Sequence, residues 1–107
     1  MPASEPQTES MAELLISEEA RQDIISIWAY VAADNVVAAD RLLRAIEEKA
    51  NRLRDHPLLG LDRSDIRPNV RCLTQGHYLI FYRFDPVDDR VDVVRVLHGM
   101  RDLPDAL

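Results

Sequence analysis

Cysteine occurs once, at Cys72, which excludes an internal disulfide framework and a cysteine-built metal cluster. Glycine is confined to Gly60, Gly76 and Gly99, too sparse for a phosphate-cradling loop. The histidines, His56, His77 and His98, stand far apart, and neither HExxH nor CxxC spacing occurs, so no metal or other cofactor is expected. A nucleophile elbow of the GxSxG kind is missing as well. No apolar run approaches the ~20 residues that cross a bilayer. The opening MPASEPQTES has no basic stretch ahead of an apolar one, so neither a signal peptide nor a membrane partner is expected and a cytoplasmic home fits. Lysine is nearly absent, with Lys49 alone among 13 basic residues.

What remains is a chain of 107 residues, 47% hydrophobic and 30% charged, the balance of one soluble globular domain. Its net charge of −6 has the wrong sign for a free nucleic-acid binder, so direct DNA binding by this chain alone is not expected. The charge is uneven. Residues 1–40 hold one Arg against eight acids, net −7, whereas residues 41–71 hold eight basic residues against five acids, net +3. The remainder, 72–107, sets four Arg against six acids, net −2. Arginine suits planar, bidentate contacts at protein interfaces.

Residues 1–12 read as an extension, 13–102 as the folded domain and 103–107 as a tail. Glu13 to Ser17 reads as a short strand around Leu14, Leu15 and Ile16. Ser17 can cap a following helix, whose positive end suits Glu18 and Glu19. Ala20, Ile24, Ile27, Trp28 and Val31 recur at helical spacing and predict a helix over 18–33. After the break at Asp34-Asn35, Val36, Ala39, Leu42, Leu43, Ile46, Ala50 and Leu53 predict a second over 36–55. It ends before Pro57, and so short a connection folds the pair into an antiparallel hairpin. A loop then leads to strands at 70–74, 77–84 and 90–97, separated by Gln75-Gly76 and by the turn at Asp85-Pro86. The middle strand puts Tyr78, Ile80, Tyr82 and Phe84 on one face, and the valine-dense last strand is expected to be buried on both. The fold class is therefore α+β: an N-terminal strand, a helical hairpin and a three-stranded antiparallel meander, giving a four-stranded sheet.

One catalytic constellation can be written down. Metal-free RNA cleavage needs a base, an acid and cations for phosphate, and Arg83, Arg95 and His98 on the last strands offer such groups. Taken by themselves these residues favour structural roles, with the arginines on nearby acids and His98 hydrogen-bonded at a strand end. Trp28 and Cys72 read as core residues.

Leu14-Leu15-Ile16-Ser17-x-x-Ala20, Asp23-Ile24-x-x-Ile27-Trp28-x-Tyr30, His56-Pro57-x-x-Gly60, Ile66-Arg67-Pro68, Gly76-x-Tyr78-x-Ile80-x-Tyr82-Arg83 and Arg95-Val96-Leu97-His98-Gly99-x-Arg101-Asp102 together resemble the ParE/RelE superfamily of bacterial toxin–antitoxin toxins. The last of these motifs resembles the ParE branch. The resemblance implies the fold just derived. It implies a toxin that inhibits DNA gyrase without a catalytic residue set, the alternatives being a ribosome-dependent messenger-RNA endonuclease of the RelE kind, using Arg83, Arg95 and His98, or an inactive homologue. It also implies a hetero-oligomer with a ParD-like antitoxin whose flexible half folds onto the toxin. The first helix carries more apolar residues than one narrow face needs, and residues 41–71 are locally basic. Ile24, Ile27, Trp28, Val31, Arg41, Arg44 and Arg71 are thus the expected antitoxin-binding residues.

Overall fold

The computed structural model describes residues 11–102. Residues 1–10 of the expected extension and the tail 103–107 lie outside the described residues. In chain order the elements are β1 (Glu13–Ile16), α1 (Glu18–Ala32), α2 (Val36–Asn51), a 3₁₀ turn (Arg52–Arg54), β2 (Leu61–Asp62), β3 (Arg71–Gln75), β4 (Tyr78–Asp85) and β5 (Arg90–His98).

Both helices start where the sequence offers a cap. The Ser17 hydroxyl accepts from the Ala20 N–H at 3.0 Å and donates to the Val94 carbonyl at 3.1 Å, so one side chain opens α1 and ties it to β5. The Asn35 side chain accepts from the Ala38 N–H at 3.0 Å and opens α2. The expected second helix ran to residue 55; its last turn tightens instead into the 3₁₀ segment that turns the chain toward Pro57.

The sheet has five strands, in the order β1-β5-β4-β3-β2. Four were expected; the fifth is β2, two residues inside the expected loop, where Leu61 pairs with Cys72 and Asp62 with Arg71. Two residues are too few to leave a period in the sequence, and only the return of the loop past β3 creates the pairing. β1 runs parallel to β5, while β3, β4 and β5 form the antiparallel meander.

Tyr78, Ile80, Tyr82, Val91, Val93 and Val96 join Ile27, Ile46, Ala50 and Leu53 in the core between hairpin and sheet. A smaller cluster of Val70, Cys72, Phe81 and Leu97 covers the other face. β5 therefore contributes to both, as its unbroken valine run foretold. A register shift at Phe81/Tyr82 leaves Val94 unpaired and bends the strand. Ala12, assigned above to the extension, packs with the domain: it is wholly buried, and its backbone N–H donates to the Arg54 carbonyl at 2.9 Å. The Arg54 Nε returns a bond to the Ala12 carbonyl at 3.1 Å, so the contacts of the fold reach back past Glu13.

Candidate partner-binding site

The His56-Pro57-x-x-Gly60 motif is explained by Tyr82. Its phenol donates to the Pro57 carbonyl at 2.9 Å and accepts from the Gly60 N–H at 2.8 Å. Arg71 Nη1 donates to the Gly60 carbonyl at 2.6 Å. Three bonds thus press residues 57–60 onto the sheet, and burial pushes the Tyr82 phenol above its ordinary pKa. A Cβ on Gly60 would lie 2.8 Å from the Cys72 carbonyl oxygen and from the Tyr82 ring. Gly60→Ala should accordingly cost about 1–3 kcal/mol in urea unfolding through overpacking. Wild-type stability in that variant would show that the loop has room to lift.

Pinning this loop leaves Leu58, Leu59 and Leu61 exposed at 62%, 47% and 75%. A second apolar area lies where the hairpin meets the sheet. There a hollow of about 260 Å³ is lined by Ile16, Ile24, Ile25, Ile46, Val93 and Val96, with Arg21 and Glu47 among its polar lining. Ile25 on α1 and Leu15 on the outer strand β1 are 58% and 43% exposed. β1 has a neighbour on one side only, so its other edge is open among the described residues.

The expected partner residues divide. Arg41 and Arg44 are exposed on α2. Ile24, Val31 and Arg71 are half-buried. Trp28 is half-buried too; its ring lies in the seam between the helices with Leu42 and Leu43, and its Nε1–H donates to Asp40 at 2.9 Å. Ile27, at 6% exposure, sits in the core, so of the expected set it has little surface left for a partner. The apolar excess of α1 is shared three ways, between the sheet, the helix seam and solvent, and the surplus falls to Ile25 and to Tyr30, 66% exposed. Periodicity finds the helix but cannot say which neighbours fill which side.

Arg83, Arg95 and His98 do not converge. The Arg95 guanidinium makes a bidentate pair with Asp23 on α1 at 2.7 and 2.9 Å, and this hydrogen bonding raises its pKa. The same carboxylate accepts from the Val96 N–H at 3.0 Å. His98 Nδ1 accepts from the backbone N–H groups of Met100 and Arg101 at 3.2 and 3.1 Å, which occupies that lone pair in shaping the turn after β5. His98 pairs with Tyr78 at one end of β4, and Arg83 lies five positions along, about 17 Å away at strand spacing. Arg83 Nε donates to the Pro68 carbonyl at 3.3 Å. Among the described residues no cluster of His, Cys, Asp and Glu could hold a metal ion, and no helix is long and apolar enough to cross a membrane.

A strand, a two-helix hairpin and a meander, with apolar side chains exposed at the hairpin and the loop, define the fold and its candidate partner surface. The model of the ParE toxin of the type II toxin–antitoxin system parDE matches residues 14–103, and the chain belongs to that family. It is 31% identical over 94 residues to Toxin ParE3 of Caulobacter vibrioides, covering 87% of this chain and 92% of the relative. It is 30% identical over 84 residues to Toxin ParE1 of the same organism, covering 78% and 84%. Among solved structures, the chromosomal ParDE toxin–antitoxin system from P. aeruginosa superposes with a TM-score of 0.69 at 22% identity, covering 83% of this chain and 97% of that one. The toxin–antitoxin complex RelBE2 from Mycobacterium tuberculosis gives 0.61 at 24% identity, covering 82% and 98%. At these identities the structures bear on the fold, which both share.

Proposed function

We propose that this ParE-family toxin acts by binding and inhibiting DNA gyrase, and that a ParD-like antitoxin neutralises it. The observation that carries this reading is the dispersal of the alternative catalytic set. Arg95 is committed to Asp23, His98 Nδ1 to two backbone N–H groups, and Arg83 stands at the opposite end of β4. RNA cleavage needs base, acid and phosphate-binding cations around one scissile bond. Inhibition by contact needs only a shaped surface.

The antitoxin reading is supported by the apolar hollow between hairpin and sheet, beside the exposed Ile25 and the open β1 edge. Exposed Arg41 and Arg44 on α2 complement an acidic tail, speeding encounter and fixing register. A chain that folds on binding can cover such separate patches at once, and a specific complex should bury more than about 1,200 Å².

A supercoiling assay with purified gyrase, run beside in-vitro translation, tests the target. Inhibition of supercoiling alone is expected. His98→Gln, whose amide oxygen can still accept from the turn, should keep that inhibition intact. Ribosome-dependent messenger-RNA cleavage that is lost in folded His98→Gln would reverse the assignment.

A further inference from the structure

A cavity of about 610 Å³ lies away from the hairpin, between the loop after Gly60 and the β4–β5 turn, and is lined by Arg71, Arg83, Ser64 and Asn69 among others. A second hollow of about 550 Å³, formed by His56, Pro57, Leu58, Leu59 and Phe84, shares Leu58 and Phe84 with it. The two make one cleft, polar at one end and apolar at the other.

We propose that this cleft receives an extended segment of the antitoxin in which a carboxylate side chain stands close to an apolar one. The carboxylate engages Arg71 and Arg83 while the apolar side chain covers Leu58, Leu59 and Phe84. The proposal rests on the antitoxin reading above and adds a second docking surface to it.

Charge pairing selects the two arginines. Arg90, the third in the cleft, is already bonded to Asp92 at 3.1 Å and lies within 3.9 Å of Asp85 and 3.6 Å of Asp88. Asp62 is occupied too: one of its oxygens accepts from the Ser64 hydroxyl at 2.6 Å and from the Ser64 N–H at 2.8 Å, which holds it below the usual carboxylate pKa. Arg71 and Arg83 are each held by a backbone carbonyl, of Gly60 and Pro68, and among the described residues neither forms a salt bridge to a carboxylate. Both are half-buried, so the fold pre-positions their remaining N–H donors for a planar, bidentate acceptor. The acceptor must be a lone charge. Asp62, Asp85 and Asp92 line the same cleft and repel a chain of phosphates, whereas one carboxylate next to an apolar residue meets both guanidinium groups and the leucines.

The test is calorimetric titration of the wild-type toxin and of Arg83→Gln, Arg71→Gln and Arg83→Lys with the antitoxin encoded beside it, at low and high salt. Urea unfolding of each variant accompanies it. Each glutamine variant should weaken binding about tenfold or more, because a charge-assisted bond is lost. Each should also flatten the salt dependence. Arg83→Lys should recover part of the affinity. If Arg71→Gln fails to fold, since it also loses its bond to Gly60, Arg83→Gln carries the test alone. Wild-type affinity in folded Arg83→Gln would overturn the cleft while leaving the antitoxin reading standing. A wild-type toxin that binds no antitoxin would overturn both. Tight binding of a single-stranded RNA decamer that Arg83→Gln abolishes would assign the cleft to a polyanion instead.

Discussion

Asp23→Ala should destabilise the chain by about 3 kcal/mol, the scale of breaking a buried ion pair by removing one partner. The side chains of Asp23 and Arg95 are only 14% and 21% exposed, and the pair bridges α1 to β5, distant in sequence. The carboxylate also accepts from the Val96 N–H beside the irregular stretch of β5. Removing it takes away the bidentate partner of a largely buried guanidinium and the acceptor of a backbone donor together. Charge alone is not the cause, and a second variant can show this. Asp23→Ala combined with Arg95→Met removes both charges and fills the space with an apolar chain, so it should recover much of the loss. Urea unfolding of the single and double variants checks the pair. A single variant within a few tenths of a kcal/mol of wild type would mean that water satisfies Arg95 and Val96 once the carboxylate is gone.

Truncating Ile46 tests the hairpin from the other side. Ile46 is 2% exposed and packs in the core that α2 shares with α1 and the sheet. Ile46→Ala should cost about 2–5 kcal/mol, the transfer of the lost methyl groups plus the cavity left behind. The upper half of that range is expected if the site cannot collapse. Ile27 faces it from α1 and Trp28 is anchored to Asp40, so the seam around Ile46 is held from both helices. The apolar hollow that Ile46 also lines opens toward solvent, and a partner seated there would shield the new cavity. The same substitution should therefore cost less stability in the antitoxin complex than in the free toxin. A loss well under about 1 kcal/mol in the free chain would count against the burial of α2 on the sheet.

Which of these features could be read beforehand follows from the range of the forces involved. Helix spacing, the Ser17 and Asn35 caps, the break at Asp34-Asn35 and the alternation along residues 78–84 act within a few residues, and each left a pattern that the structure repeats. The family resemblance rested on the same residues. Three features were set only when distant segments met. β2 is too short to carry a period and exists because Leu61 and Asp62 return to β3. Ala12 is an unremarkable residue in sequence, and it is buried because the end of the helical hairpin closes over it through Arg54. The candidate site behaves likewise: composition marked Arg71, Arg83 and Arg95 as cations but could not tell them apart. Arg95 found Asp23 from the other end of the chain, while Arg71 and Arg83 hydrogen-bond backbone carbonyls and line a cleft. Local propensity depends on neighbours in sequence, and the sequence by itself determined the elements and their order. Pairing of charges and the facing of apolar sides depend on neighbours in space, and only the tertiary structure decided which side chains remain for a partner.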